Sequence, residues 1–176
     1  MSETSMPEAV NSYEVYLEDA MLAGTAEAQL PSFESITTTI KGAGIAGEDE
    51  TPMKALFGPQ TLTLNWRIVS AGHIKLMEPA KAHSLNLYAS LQEYDTATGE
   101  TLDKQLHVYV KGRTKKSDPG KFATGETADT STEIGINYIK IEKEGVELVE
   151  YDKYNYIYRV NGTDYAEKIR QNIGRA

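Results

Sequence analysis

The sequence contains no cysteine. That removes disulfide staples, thiolate metal sites and cysteine nucleophiles together. It holds three phenylalanines and one tryptophan in 176 residues, so most of its aromatic content is carried by eleven tyrosines. No apolar run approaches about 18 residues, which argues against a membrane-spanning helix. Bases are scarce at the start. Residues 1–50 hold ten acids and one base, Lys41, a net of −9. The remaining residues hold 16 acids and 17 bases, a net of +1, which completes the overall −8. Tight binding of nucleic acid through its phosphates needs clustered Lys and Arg, which this balance does not favour. Residues 1–12 read as a loose acidic and polar arm rather than a secretory signal.

Recognisable catalytic patterns are also missing. His73 and His83 are ten residues apart, which on a helix places them on different faces and argues against a metal pair. There is no Gly-x-Ser-x-Gly elbow and no His-Glu-x-x-His helix. Gly120-Lys121-Phe122 lacks the Ser or Thr that a phosphate-binding loop places on magnesium. Glu48-Asp49-Glu50 is a run of adjacent acids, whereas oxygen-ligand cation sites use alternating spacing. No catalytic residue, metal or cofactor is expected.

What is present is strand pattern. At this length a single domain with its own core is expected over residues 1–176. Tyr13, Val15 and Leu17 share one face of a first strand. Leu62, Leu64, Trp66 and Ile68 alternate with Thr61, Thr63, Asn65 and Arg67. Leu85, Leu87, Ala89 and Leu91 alternate with Asn86, Tyr88, Ser90 and Gln92. Such strands pack one face on a core and wet the other. Asp95 to Gly99 reads as a hairpin turn into a strand with Leu106, Val108 and Val110 inward. A phase shift at Tyr138–Ile139 predicts a bulge or burial on both faces. Tyr154, Tyr156 and Tyr158 alternate on a later strand. Ile74, Met77 and Ala80 have helical spacing, interrupted by Pro79, and predict a short helix over residues 72–83. A C-terminal helix is expected over residues 163–174, with Asp164 and Glu167 as a capping box and Tyr165, Ile169 and Ile173 on one face. The predicted class is mainly β (α+β): two packed antiparallel sheets forming a sandwich or partial barrel, with a flanking helix and a C-terminal helix.

One stretch does not fit a compact sandwich. Residues 33–60 read as a long projecting β-hairpin. Its incoming strand is Thr-rich, which favours extended backbone, yet shows no clean apolar face. Its tip contains Gly42, Gly44 and Gly47. Those letters match the dinucleotide fingerprint, but the helix that fingerprint needs does not follow: three acids and Pro52 do. A hairpin without its own apolar face requires partners. Ile40, Ile45, Met53, Leu56 and Phe57 are expected to be buried only on assembly, with Gly42, Gly44 and Gly47 turning the backbone against a neighbour. Lys111, Arg113, Lys115 and Lys116 form the one basic cluster. It suits a phosphate contact, a solvated strand edge, or an acidic partner such as the first fifty residues of this copy or the next.

The run Lys41-Gly42-Ala43-Gly44 to Gly47 followed by Leu64-Asn65-Trp66, the run Lys111 to Asp118 followed by Gly120 and Gly125-Glu126, and the tail Val160-Asn161-Gly162-Thr163-Asp164 to Gly174 occur in one order over nearly the whole chain. In this the sequence resembles the major tail tube proteins of contractile-tailed phages, related to R-type bacteriocin tubes. The resemblance implies hexameric rings stacked into a hollow tube inside a contractile sheath, each subunit giving four strands to an inner barrel. At about 4.8 Å per strand, 24 strands give a circumference near 115 Å and a diameter of roughly 37 Å before tilt. Thr61, Thr63, Asn65, Arg67, Asn86, Ser90 and Gln92 are then candidates to line the bore. The implied partners are the protein itself, sheath, baseplate and tail-terminator proteins, and genomic DNA in transient passage, with no membrane. The implied location is the virion tail, assembled in the host cytoplasm. A tube of a phage-derived bacteriocin or injection machine is the alternative. A small-ligand-binding or hydrolytic β domain is the reading from another class.

Overall fold

The computed structural model describes residues 5–18, 20–21 and 24–175. The described elements run β1 (Ser5–Leu17), β2 (Ala20–Met21), β3 (Thr25–Gln29), β4 (Ser35–Lys41), β5 (Glu48–Phe57), β6 (Thr61–Trp66), α1 (Ala71–Leu76), β7 (His83–Asp95), β8 (Thr101–Asp118), β9 (Thr130–Lys143), β10 (Val146–Asp152), β11 (Ile157–Val160), β12 (Thr163–Asp164) and α2 (Glu167–Asn172). No helix among the described residues is long and apolar enough to cross a membrane.

All the pairings are antiparallel. The main path is β12-β11-β10-β9-β8-β7-β1-β2, and β4 and β5 form a separate two-stranded sheet. The path branches at β9. One edge of β9 pairs with β8 along nearly its whole length. The other edge serves two strands: β6 pairs with Thr130 to Gly135, and β10 pairs with Tyr138 to Lys143. Strand β3 continues the β6 limb. The limbs diverge on either side of Ile136 and Asn137 and close over a shared core without forming a closed barrel.

The core follows from the alternation. Leu62, Leu64 and Trp66 of β6 meet Val15, Leu17, Leu85, Leu87, Val108, Val110, Ile134 and Ile139 in one buried cluster. Each such side chain removed from water contributes about 1.5–3 kcal/mol. The indole Nε1 of Trp66 donates to Thr132 Oγ1 at 3.2 Å, so its polar end is satisfied inside the cluster. The phase shift read at Tyr138–Ile139 is a bulge one residue earlier. Register passes from Lys111↔Tyr138 to Gly112↔Ile136, leaving Asn137 unopposed on β8. Gly112 permits the close approach there, because a Cβ would lie 2.3 Å from the Gly135 carbonyl oxygen.

Several expectations are corrected. The loose arm over residues 1–12 is strand from Ser5 onward, with residues 1–4 outside the described residues. Register shifts at Pro7/Ala9 and Val10/Ser12 break the alternation, which hides the strand from a period-two reading. The helix expected over 72–83 spans only Ala71–Leu76, capped by Ser70 Oγ accepting from His73 N. His73 and Leu76 are its buried residues, while Ile74 and Met77 face solvent. His83 already belongs to β7. The C-terminal helix begins at Glu167 rather than near 163. Asp164 sits in β12 and accepts from Ala166 N instead of capping α2, none of whose residues is buried. The tyrosine alternation is interrupted by a turn at residues 153–156, where Asp152 Oδ1 accepts from Tyr154 N and Asn155 N.

One charged group lies deep. Glu93 is 1% exposed at the end of the core face of β7, with the ammonium groups of Lys143 and Lys104 on its carboxylate. These contacts, that from Lys143 foremost, hold its carboxyl down at about 2. The folded-state value lies below the unfolded one, so this stabilisation is present above about pH 4.5 and is lost as pH falls toward 2. Two outcomes are expected. Acid unfolding followed by circular dichroism should shift to higher pH in Lys143→Met. Gly112→Ala should cost about 1–3 kcal/mol or more in urea denaturation, because its Cβ meets backbone.

Candidate assembly interface

The projecting hairpin is present as β4 and β5. Residues from Ile36 to Glu50 are exposed throughout. Isoleucines 36, 40 and 45, Met53 and Leu56 are each about 38–48% exposed. An isolated two-stranded hairpin is marginal in water, and this one adds only surface polar contacts. Lys41 pairs with Glu48 at 3.4 Å, Thr37 donates to Glu50 at 2.7 Å, and Thr51 donates to Asp49 at 2.9 Å. Exposed pairs of this kind contribute little. At the tip, Gly42, Gly44 and Gly47 take φ of 144°, 94° and 114°, conformations L side chains rarely adopt. Nothing within 4 Å would meet a Cβ at any of the three, so the tip touches none of the rest of the chain there.

The arm's base is fixed. Phe57, expected to await assembly, is 8% exposed and belongs to the monomer core. It packs edge-on to Phe33, Tyr151 and Tyr158 at centroid distances of 5.6, 5.3 and 4.8 Å. The correction has a geometric cause. Ser35 pairs with Phe57 but Thr37 pairs with Pro52, so the single residue Ile36 opposes four, Met53 to Leu56. Ala55 takes φ 58° in that bulge. The bulge turns Phe57 inward, and Lys54 Nζ reaches to 5.9 Å over the Tyr165 ring. Of the predicted contact residues, Ile40, Ile45, Met53 and Leu56 are left uncovered together with Gly42, Gly44 and Gly47.

The basic cluster straddles the end of the β7 pairing. Lys111 lies opposite Ser84 between β7 and β9, whereas Arg113, Lys115 and Lys116 lie beyond Gly112, the last β8 residue paired with β7, on a stretch of β8 that pairs with β9 alone. Lys116 faces Glu133 at 3.6 Å, and Lys115 donates to Thr61 Oγ1 at 3.1 Å. Lys111 and Arg113 meet no carboxylate among the described residues. Arg113 and Lys115 border the branch point of the sheet, next to Gln60 and Gly135.

The polar candidates divide between β6 and β7. Thr61, Thr63 and Asn65 lie on β6, alternating with buried Leu62, Leu64 and Trp66. Asn65 donates to Glu27 at 3.4 Å. Arg67 is exposed just past the strand. Asn86, Ser90 and Gln92 lie half-buried on β7. Sequence reading did not single out the ladder that joins Asn86 to its neighbours. Asn86 Oδ1 meets His107 Nε2 at 2.9 Å, His107 Nδ1 meets Glu142 at 3.2 Å, and Lys140 meets Glu142 at 2.6 Å. Tyr88 stacks on the His107 ring at 4.4 Å. The hydrogen bond from Lys140, with that from His107, draws the Glu142 carboxyl below the usual carboxylate range. The register β7-β8-β9 was the signal that locates this ladder. His73 and His83 are buried, and among the described residues no three His, Asp or Glu side chains gather as a metal site.

Comparison with known proteins follows from this geometry. The family model described as phage tail tube protein FII matches residues 7–174. The tail tube protein of Escherichia phage P2 is 28% identical over 176 residues, covering 97% of this chain and 99% of that protein. A chain in the structure of an extracellular contractile injection system, the PVC sheath/tube terminator in its extended state, superposes with a TM-score of 0.53 at 12% identity. It covers 78% of this chain and 97% of that one, a likeness of fold.

The arm and the core are separable. Replacing residues 37–55 by a short Gly-Ser linker should leave a cooperatively folded domain within about 1 kcal/mol of the parent. Chemical denaturation checks this, and loss of the cooperative transition would show that the arm supports the core.

Proposed function

The chain belongs to the phage tail tube family, and from that membership we propose that it is the subunit of the inner tube of a contractile phage tail, forming hexameric rings that stack into a hollow conduit for DNA passage into the host. The observation that carries this reading is the ordered hairpin with both faces exposed. Its uncovered Ile36, Ile40, Ile45, Met53 and Leu56 have no use in a monomer, and apolar exposure gathered on one arm marks an interaction surface. A hairpin docking on a different surface of the next copy makes a heterologous contact, which closes into rings or continues into filaments.

The polar faces of β6 and β7 serve the bore. Thr61, Thr63, Asn65, Arg67, Asn86, Ser90 and Gln92 offer hydrogen bonds to water while carrying one positive charge among seven residues. A bore so lined does not hold phosphates by counterion release, which needs many cations. The Asn86–His107–Glu142 ladder keeps one polar face rigid. The role is structural and uses no cofactor. The partners of the assembled tube are further copies, sheath, baseplate and terminator proteins, in a virion tail assembled in the host cytoplasm.

Electron microscopy of the purified protein should show six-fold rings or tubes. A strictly monomeric species over a wide concentration range, with the arm ordered, would contradict the reading. Tubes carrying Thr63→Lys, Ser90→Lys and Gln92→Lys should assemble normally, while virions built on them eject DNA more slowly. Unchanged ejection kinetics would remove the bore assignment.

A further inference from the structure

The branch point of the sheet leaves an unmet requirement. Gln60 is 4% exposed, yet neither its Nε2 nor its Oε1 has a hydrogen-bond partner among the described residues. A buried amide left unpaired is destabilising, and such groups are rare in folded chains. It borders a depression of about 210 Å³ also lined by Pro59, Arg113, Lys115, Lys153 and Tyr154. Arg113 and Lys153 meet no carboxylate among the described residues, and Lys115 donates to a hydroxyl, that of Thr61. The depression exists because β6 and β10 separate on one edge of β9, with Ile136 N donating to Gln60 O and Lys153 N to Asn137 O on its two sides. Three cations, and an amide whose donor and acceptor are unmet and which reaches a docked chain by turning toward the depression, fit an acidic stretch of extended polypeptide. The carboxylates meet the cations, and a backbone peptide group meets the amide.

This chain carries such a stretch at Glu48-Asp49-Glu50, exposed at the arm tip. Its own fork is out of reach. The arm's pairing runs from Ser35↔Phe57 to Lys41↔Glu48, six residue steps or about 20 Å of strand. Gln60 lies three residues beyond Phe57, at the base. The tip and the fork can therefore meet only between copies. We propose that the fork at Gln60, Arg113, Lys115 and Lys153 receives the Glu48-Asp49-Glu50 tip of a second copy. The proposal rests on the tube reading and deepens it by assigning a receptor to the arm. Donor and acceptor surfaces differ, so every copy both gives a tip and receives one, and the contact propagates.

Two charge-reversed variants test this. One carries Arg113→Glu and Lys153→Glu; the other carries Asp49→Lys and Glu50→Lys. All four positions are exposed, so both should fold, checked by circular dichroism. Sedimentation and electron microscopy should show that each alone assembles at a critical concentration at least about tenfold above wild type. Mixed in equal amounts, they should form tubes again, because each tip then finds a fork of opposite sign. Gln60→Leu should match or exceed the wild-type melting temperature while raising the critical concentration about tenfold, since it removes the amide that the tip satisfies. Wild-type tubes together with reversed variants that assemble normally, or a mixture that fails to assemble, would overturn the fork assignment alone. Failure of wild type to assemble would overturn the tube reading itself. Duplex DNA retained by wild type and lost on Arg113→Glu and Lys153→Glu, with assembly unchanged, would assign the fork to phosphate and overturn the proposal.

Discussion

A single edge of β9 has to satisfy two strands. Backbone N–H and C=O groups along a buried strand must be paired, and no one partner pairs this edge from end to end. Strand β6 takes the N-terminal half and β10 the C-terminal half. At the junction the opposite edge adjusts as well: Asn137 bulges, and Gly112 brings β8 within reach of Gly135. Most of the rest of the architecture follows. The two limbs diverge, so each can bring its apolar face to the other over the Leu62–Leu64–Trp66 core. The arm leaves from the base of β6, and Phe57 ties it to the aromatic residues of β10 and β11. The gap between the limbs holds Gln60 beside unpaired cations.

The arm and the core obey different rules. The core is stable by burial and would be unchanged in solution alone. The arm has backbone pairing but little burial, and its surface contacts are weak in water. Its order makes sense when its apolar residues and its acids are covered by something else. The marginal stability of an isolated hairpin is then an advantage, because the free chain has little stabilisation to lose on docking.

The alternating strands were legible because each has one face on the core, and there period two is enforced by burial. Leu62, Leu64, Trp66, Leu85, Leu87, Val108 and Val110 were all read correctly as inward. The arm was legible for the opposite reason, since Glu34 to Lys41 shows no inward face at all. What escaped was everything decided by local geometry or by the neighbouring strand. Two register shifts disguised the N-terminal strand. The Met53–Leu56 bulge turned Phe57 into the core, which no periodicity announces. Ile74, Met77 and Ala80 match a helical period that the chain does not use, because His83 is already committed to β7. The basic cluster was visible as composition, but its place inside β8, at a branch, depends on long-range pairing. Gln60 carried no sequence signal, since its importance lies in the hydrogen bonds it does not make.

The central claim is that the arm is an assembly element whose acidic tip is completed by another copy. A reconstruction of the assembled tube at side-chain resolution tests it most directly. The account predicts Glu48, Asp49 or Glu50 of one copy within ion-pair distance of Arg113, Lys115 or Lys153 of the next, with the Gln60 amide hydrogen-bonded to the incoming tip. An arm lying free in solvent, or docked elsewhere while the fork stays open to water, would contradict it.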